Sequence, residues 1–358
     1  MNDRPRIEII ASGRIDEDDS AFARAIALPD GELLCSYSNA GGSYATGGTG
    51  LSRSTDGGRT WRREADILSV RVQPPVSNFL KLSRSADGSV LYAYGSRSAD
   101  VEGAEFGERS ASAVLCSSTD RGQTWSAPVA VPMPSDALEI SEAVLVTRTG
   151  RLLAPAAIIE PERLGEQVVV AISDDGGRSW TRHAICLQDP AGVMGYLEQK
   201  LVDLGDGRLL ATAWTVTMDG LVDRPNSYAM STDDGLTWTP PRSIGTRGQT
   251  LSATPLGGDR VLLLYNRRYG RQGVVAAIAR ITDTDWPILW EGLLHDAAAS
   301  RERAPGADAI EEMRAFAFGF PTAVRLPDGG FLATWWASLD GEPTGPTGIL
   351  WARLHLVD

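Results

Sequence analysis

Ser54-Thr55-Asp56-Gly57-Gly58-Arg59-Thr60-Trp61 is one of four near-copies of a single stretch; the others run Ser118 to Trp125, Ser173 to Trp180 and Ser231 to Trp238. Each reads S-x-D-x-G-x-[ST]-W, and the leading serines are 64, 55 and 58 residues apart. A period of this size marks a repeated supersecondary unit rather than one continuous sheet. Within each copy the Asp carboxylate accepts backbone N–H groups and the Gly two residues on takes a positive φ, which together make a tight turn. The closing Trp is an apolar anchor that tucks the turn against its own sheet. These residues therefore read as structural staples rather than ligand contacts.

The repeat decides how 358 residues are organised: a modular fold whose core is built unit by unit, here one domain spanning residues 1–358. With 38 Gly and 20 Pro and few long helical patterns, the units are short strands joined by turns, so the fold class is all-β. A net charge of −12 argues against a nucleic-acid partner. The N-terminal Met1-Asn2-Asp3-Arg4-Pro5-Arg6 carries no apolar signal region, and no stretch approaches the ~18 apolar residues of a membrane span, so a cytoplasmic location is expected. Cys35, Cys116 and Cys186 are odd in number and widely spaced in apolar segments, the pattern of buried free thiols.

From Arg24 each unit follows one plan: an apolar strand, a tight turn, a second apolar strand, a variable loop, a third strand, then the Asp stretch. The turns fall at Asp30-Gly31, Asp87-Gly88, Thr149-Gly150, Asp206-Gly207, Gly257-Gly258 and Asp328-Gly329, which counts six units. The fifth ends in a degenerate Thr282-Asp283-Thr284-Asp285-Trp286, and the sixth lacks a fourth strand. A spare strand at residues 6–11 supplies it, and closing a ring with strands from both termini removes open edges. The expectation is a six-bladed β-propeller of four-stranded blades. Between units five and six, Asp296 to Arg303 and Ile310 to Arg314 have helix-favouring composition and read as a surface excursion or a lid. The glycine-rich run 41–50 lacks the Lys-Ser/Thr and helix of a phosphate loop.

The S-x-D-x-G-x-T-W stretch resembles the Asp-box (BNR) repeat of the sialidase superfamily, and the resemblance covers nearly the whole chain. It implies a six-bladed propeller with the boxes at the rim, away from the active site. It also implies an arginine triad on the substrate carboxylate, an acid/base Asp, and a Tyr nucleophile assisted by a Glu. The first arginine lies in an (F/Y)-R-I-P motif, which Phe22-Ala23-Arg24-Ala25-Ile26 matches loosely at Arg24; the Glu corresponds to Glu198. The second arginine position falls at about Trp214, with Arg224 the nearest substitute, and the third at Arg267, Arg268 or Arg271. The Tyr position falls on Phe320, and no Asp exists between Asp30 and Asp56, where the acid is expected. A phenyl ring cannot attack an anomeric carbon, so the sialidase mechanism is not expected.

A charge on an otherwise apolar inner strand is costly unless it has a partner or a ligand. Glu142 precedes Ala143-Val144-Leu145-Val146, and Glu198 holds the equivalent place one unit on. Paired carboxylates are what glycosidic cleavage needs, one as acid and one as nucleophile or base; the alternative is that each pairs with an inward arginine. The pair resembles the exo-arabinanase branch of the same superfold, where two glutamates replace the Tyr and Asp. Arg24, Arg267, Arg268 and Arg271 are candidates to grip an anionic sugar, with at least two of the clustered three expected at the rim. Tyr196, Trp214 and Trp335 are sugar-stacking candidates or core. His183 and His355 read as peripheral and His295 as part of the projecting loop, so no histidine metal set is visible and no cofactor is expected.

The function these residues point to is an exo-acting glycoside hydrolase on a small oligosaccharide or glycoside, with a terminal sugar, acidic or neutral, as the unit released. Two rivals stand beside it: a lyase on uronate glycans using Arg24 and Tyr196, and a catalytically silent carbohydrate-binding propeller.

Overall fold

The computed structural model describes residues 5–39, 47–69, 71–72, 75–99, 110–161, 163–297, 317–342 and 345–358. Its strands form six antiparallel sheets in a ring. The first is Ala21–Ala27, Leu33–Asn39, Gly48–Ser54 and Arg62–Arg63. Blades two, four and five have the inner strands Pro75–Arg84, Met194–Asp203 and Gln249–Gly257. In the sixth, Phe318–Arg325, Phe331–Ser338 and Thr347–Val357 are completed by Arg6–Asp16, which pairs antiparallel with Thr347–Val357. The N-terminal strand closes the ring as the sequence implies, and it runs five residues beyond the expected Ala11. All three cysteines are free and buried.

The core follows the ring. Among the described residues, six clusters of buried apolar side chains occur, one at each interface between neighbouring blades. A blade is apolar on both faces because each face packs on a neighbour, so its strands read as nearly continuous Val, Leu, Ile and Ala runs.

Register fixes which end of the ring carries the Asp boxes. Ala27, at the end of the first inner strand, pairs with Leu33, and Leu33 pairs with Ser54, the first residue of the box. The boxes therefore lie at the end where the inner strands finish, and the strand beginnings form the opposite, upper end. Asp56 shows how a box is held: Oδ1 accepts the Ser54 hydroxyl at 2.8 Å and the Arg59 and Thr60 N–H groups at 2.9 Å, and Oδ2 accepts the Thr60 hydroxyl at 2.6 Å. These bonds hold the Asp56 carboxyl down at about pKa 2. Trp61 Nε1 donates back to the Gly58 carbonyl at 3.0 Å. The box glycine has an inter-blade role too: a Cβ on Gly235 (φ +83°) would stand 2.5 Å from Leu153 Cδ1 in the preceding blade. Each box thus ties its turn to the next interface as well as to its own sheet.

Two irregularities shape the axis. In blade three the inner strand is broken into Leu138–Glu139 and Leu145–Val146, leaving Ile140 to Val144 off the ladder. In blades one, four, five and six the inner strand bulges at the same level, with register shifts at Ala21/Arg24, Leu197/Lys200, Gln249/Ser252 and Gly319/Thr322. At each bulge one residue takes a positive φ: Phe22 (58°), Glu198 (50°), Thr250 (47°) and Phe320 (54°). Bulges re-aim side chains, and four at one level concentrate that effect around the axis.

Candidate active site

The upper end of the axis is built from these irregular segments. Ring centroids of Phe22 and Phe79 are 4.9 Å apart, of Phe22 and Phe320 5.5 Å, and of Phe79 and Phe320 6.2 Å. Beneath the trio sit two lysines, Lys81 and Lys200, 0% and 1% exposed. Lys81 Nζ lies over the Phe79 ring and Lys200 Nζ 4.0 Å from the Phe320 centroid. Lys81 donates to the Ile140 carbonyl and Lys200 to the Ser141 carbonyl. The broken strand explains the lysines: carbonyls that leave a ladder need other donors when buried, and an ammonium supplies them. Burial lowers the pKa of both ammonium groups, most strongly for Lys81, where Lys200 adds to the effect.

Three carboxylates surround this floor. Glu198, at the bulge of blade four, gives its backbone N–H to Glu139 Oε2 at 2.8 Å. The other oxygen of Glu139 accepts the Ser141 hydroxyl, and Gln199 Nε2 donates to the Glu139 carbonyl at 3.3 Å. Glu198 Oε2 is buried without a hydrogen-bond partner among the described residues. Burial, reinforced by the charge of Glu139 and opposed by Lys200 and Arg268, pushes the Glu198 carboxyl up to about pKa 7. Glu142 is the third of these carboxylates. It is 3% exposed, its Oε1 accepts the Ala143 N–H at 2.8 Å and lies 3.3 Å from Arg24 NH2, and it lines the axial cavity on the Asp-box side with Arg24.

Glu142 and Glu198, which the sequence grouped, both act on Lys81 and Lys200 electrostatically, and Glu139 joins them as the carboxylate in contact with the Glu198 backbone. Glu139 was missed because an inner strand is expected to be continuous; its signal is the pair of glutamates three apart in Leu138-Glu139-Ile140-Ser141-Glu142. Lys81 and Lys200 were missed too, although the rule that singled out Glu142 and Glu198, a charge on an apolar inner strand, applies equally to them.

Of the clustered arginines, only Arg268 turns inward. It is 6% exposed, donates to the Phe318 carbonyl at 2.6 Å and to Gln249 Oε1 at 3.3 Å, and stacks 4.2 Å from the Phe318 centroid. Arg267 bonds Glu291 and Arg271 bonds Asp296, both at the rim. Tyr196, Trp214 and Trp335 are each 3% exposed and pack in inter-blade clusters, so as sugar platforms they are corrected to core: no ring face is open to a ligand. Trp214 Nε1 also bonds Asp223, whose other oxygen accepts the Tyr269 hydroxyl. His295 lies on the strand Ile288–Asp296 against Phe318 and Trp335, not in a projecting loop. The helix-favouring runs lie outside the described residues apart from Asp296 and Ala297, as does the glycine-rich run up to residue 46. Among the described residues, no group of three or more His, Cys, Asp or Glu is placed to hold a metal ion.

The model for BNR repeat-like domains matches residues 98–331. The chain is 31% identical over 364 aligned residues to a sialidase from Micromonospora viridifaciens, covering 92% of this chain and 50% of that one, so it spans half the length of this relative. Among solved structures, a protein of unknown function from Dyadobacter fermentans superposes with a TM-score of 0.75 at 20% identity, covering 98% of this chain and 99% of that one. An α-L-arabinanase from Penicillium chrysogenum, solved with arabinobiose, superposes with a TM-score of 0.65 at 15% identity, covering 96% and 98%. These two likenesses speak to the fold, which they share over almost their full length. The repeated boxes, the six closed blades and the family match lead to one conclusion: the chain belongs to the BNR repeat-like family and is a six-bladed propeller of the sialidase type.

Proposed function

We propose that this protein is an exo-acting glycoside hydrolase that removes a terminal sugar from a small oligosaccharide, with Glu198 as the proton donor. One observation carries the reading: at the upper end of the axis, Glu198 combines a carboxyl pKa raised to about 7 with a side-chain oxygen that has no partner among the described residues. A carboxyl still protonated near neutral pH, with an uncommitted oxygen, is what protonation of a glycosidic oxygen requires. Lys81 and Lys200 are buried beneath that level, which suits a site that takes only a chain end.

The second carboxylate comes from the broken strand of blade three. Its contact with the Glu198 backbone favours Glu139 over Glu142, which is paired with Arg24 on the lower side. Phe320 stands where the sialidase resemblance puts the tyrosine; at 2% exposure and against Phe22, it is a packing group with no nucleophilic atom. The reading is therefore a two-glutamate hydrolase, consistent with the shared fold of the arabinanase.

The test is turnover of a panel of aryl glycosides and arabino-oligosaccharides, sialosides included, by wild type, Glu198→Gln, Glu139→Gln and Glu142→Gln. The reading expects losses of roughly 10²–10⁴-fold for Glu198→Gln and Glu139→Gln and a smaller loss for Glu142→Gln. Full activity in Glu198→Gln removes it from the mechanism. Product absorbance from a new C=C bond identifies a lyase, and saturable sugar binding without turnover identifies a silent binding propeller.

A further inference from the structure

Below the lysine floor, the lower half of the axis is a cavity of about 440 Å³, walled by the ends of all six inner strands on the Asp-box side. Its charged lining consists of Arg24, Arg84, Lys200 and Arg325 against Glu142 and Asp203. The chain as a whole is at −12. A locally cationic hollow on the symmetry axis of an acidic protein is the reverse of what the overall composition would place there.

Two of these cations have no ion pair or hydrogen bond to a carboxylate among the described residues, although Asp87 acts on Arg84 from a distance. Arg84 gives its guanidinium only to carbonyls, Ala27 at 2.6 Å, Ser85 at 3.0 Å and Ala86 at 2.9 Å. Arg325 is exposed at the mouth, and its nearest aromatic contact is the Phe331 ring at 6.0 Å. Two buried donor atoms on the same lining, Arg24 Nε and Ser83 Oγ, have no hydrogen-bond partner in the described chain. The acids are in part committed elsewhere: Glu142 to Arg24 and Ala143, and Asp203 Oδ1 to the Gly205 N–H at 2.7 Å. A buried donor without a partner is costly, and an anion in the hollow would accept from Arg24 Nε and Ser83 Oγ while meeting the guanidinium charges of Arg84 and Arg325.

We propose that this cavity is a binding site for a small multivalent oxyanion of the phosphate or polycarboxylate kind, held by Arg84 and Arg325 at the mouth with Arg24 deeper. The volume accommodates an ion of citrate size, and its six-strand wall is rigid, so little is lost on ordering. The site is separate from Glu198 and does not depend on the hydrolase reading.

The experiment is calorimetric titration of the full chain with inorganic phosphate and, separately, with citrate, in buffers matched for ionic strength with chloride. The expected result is saturable one-site binding of at least one of the two, and which one binds assigns the anion class. Arg325→Gln, an exposed change that spares the fold, should weaken binding about tenfold or more. Asp203→Asn, which removes a negative charge from the mouth, should tighten it. The rim control Arg62→Gln should leave it unchanged. Absence of saturable heat with both anions overturns the proposal. So does binding that ignores both Arg325→Gln and Asp203→Asn, and so does equal weakening by Arg62→Gln, which would mark a diffuse charge effect.

Discussion

Replacing Glu198 by Gln should make the protein more stable at alkaline pH, by an amount the structure sets. The folded carboxyl is raised from its ordinary 4.5 to about 7, chiefly by burial and by Glu139. Below pH 4.5 both folded and unfolded states hold the proton, and the group contributes nothing pH-dependent. Between pH 4.5 and 7 the unfolded chain ionises while the folded one does not, so folding must take up a proton and stability falls as pH rises. Above about pH 7 both are ionised and the loss levels off. At ~1.4 kcal/mol per tenfold difference in proton affinity, the plateau is about 3 kcal/mol. Gln carries no such charge, so the stability of Glu198→Gln relative to wild type should climb by about 3 kcal/mol between pH 4.5 and 8, whatever its offset at low pH. Urea unfolding followed by the fluorescence of the 10 tryptophans, at half-unit intervals across that range, measures the difference without any substrate. A stability difference that stays constant from pH 4.5 to 8 would refute the raised carboxyl and, with it, the reason for choosing Glu198 as acid.

Other predictions rest on different parts of the molecule. Lys200→Met removes a cation that lowers the Glu198 pKa, so the same titration should show its plateau displaced to higher pH; an unmoved curve would mean that Lys200 does not act on Glu198. Gly235→Ala forces a left-handed residue and drives a Cβ to 2.5 Å from Leu153, so it should cost about 2–4 kcal/mol in urea unfolding. Gly192→Ala, also at positive φ but with open space around its Cβ, should cost only ~1–2 kcal/mol, and equal costs would sink the inter-blade role given to the box glycine.

The blades were legible because their signals are local. An Asp box is a turn closed by its own carboxylate and hydroxyls, so Asp56 and its three counterparts announce themselves wherever they occur. The spare strand followed from a count, and Arg6–Asp16 sits where the count required. The axis was less legible because it departs from regular pairing. A bulge slips the register by one and turns side chains over, which is why Arg24 faces Glu142 in the lower cavity while Phe22 takes the bulge above it. The break in blade three is invisible to a reading that expects a full inner strand, so the contact of Glu139 with the Glu198 backbone was not foreseen. Tyr196, on the inner strand of blade four, and Trp214, on the strand beside it, show the converse: an aromatic between blades is more often packing than platform, and both are packing.

The account stands or falls on whether Glu198 delivers a proton to a leaving sugar. The most direct measurement is the pH dependence of kcat/KM on a hydrolysed glycoside, for wild type and for Glu198→Gln. The account predicts a rate that falls about tenfold per pH unit above pH ~7 in wild type, and a residual rate without that limb in Glu198→Gln. A wild-type rate that is flat or rising from pH 6 to 9, or a Glu198→Gln profile that retains the same limb, would contradict it.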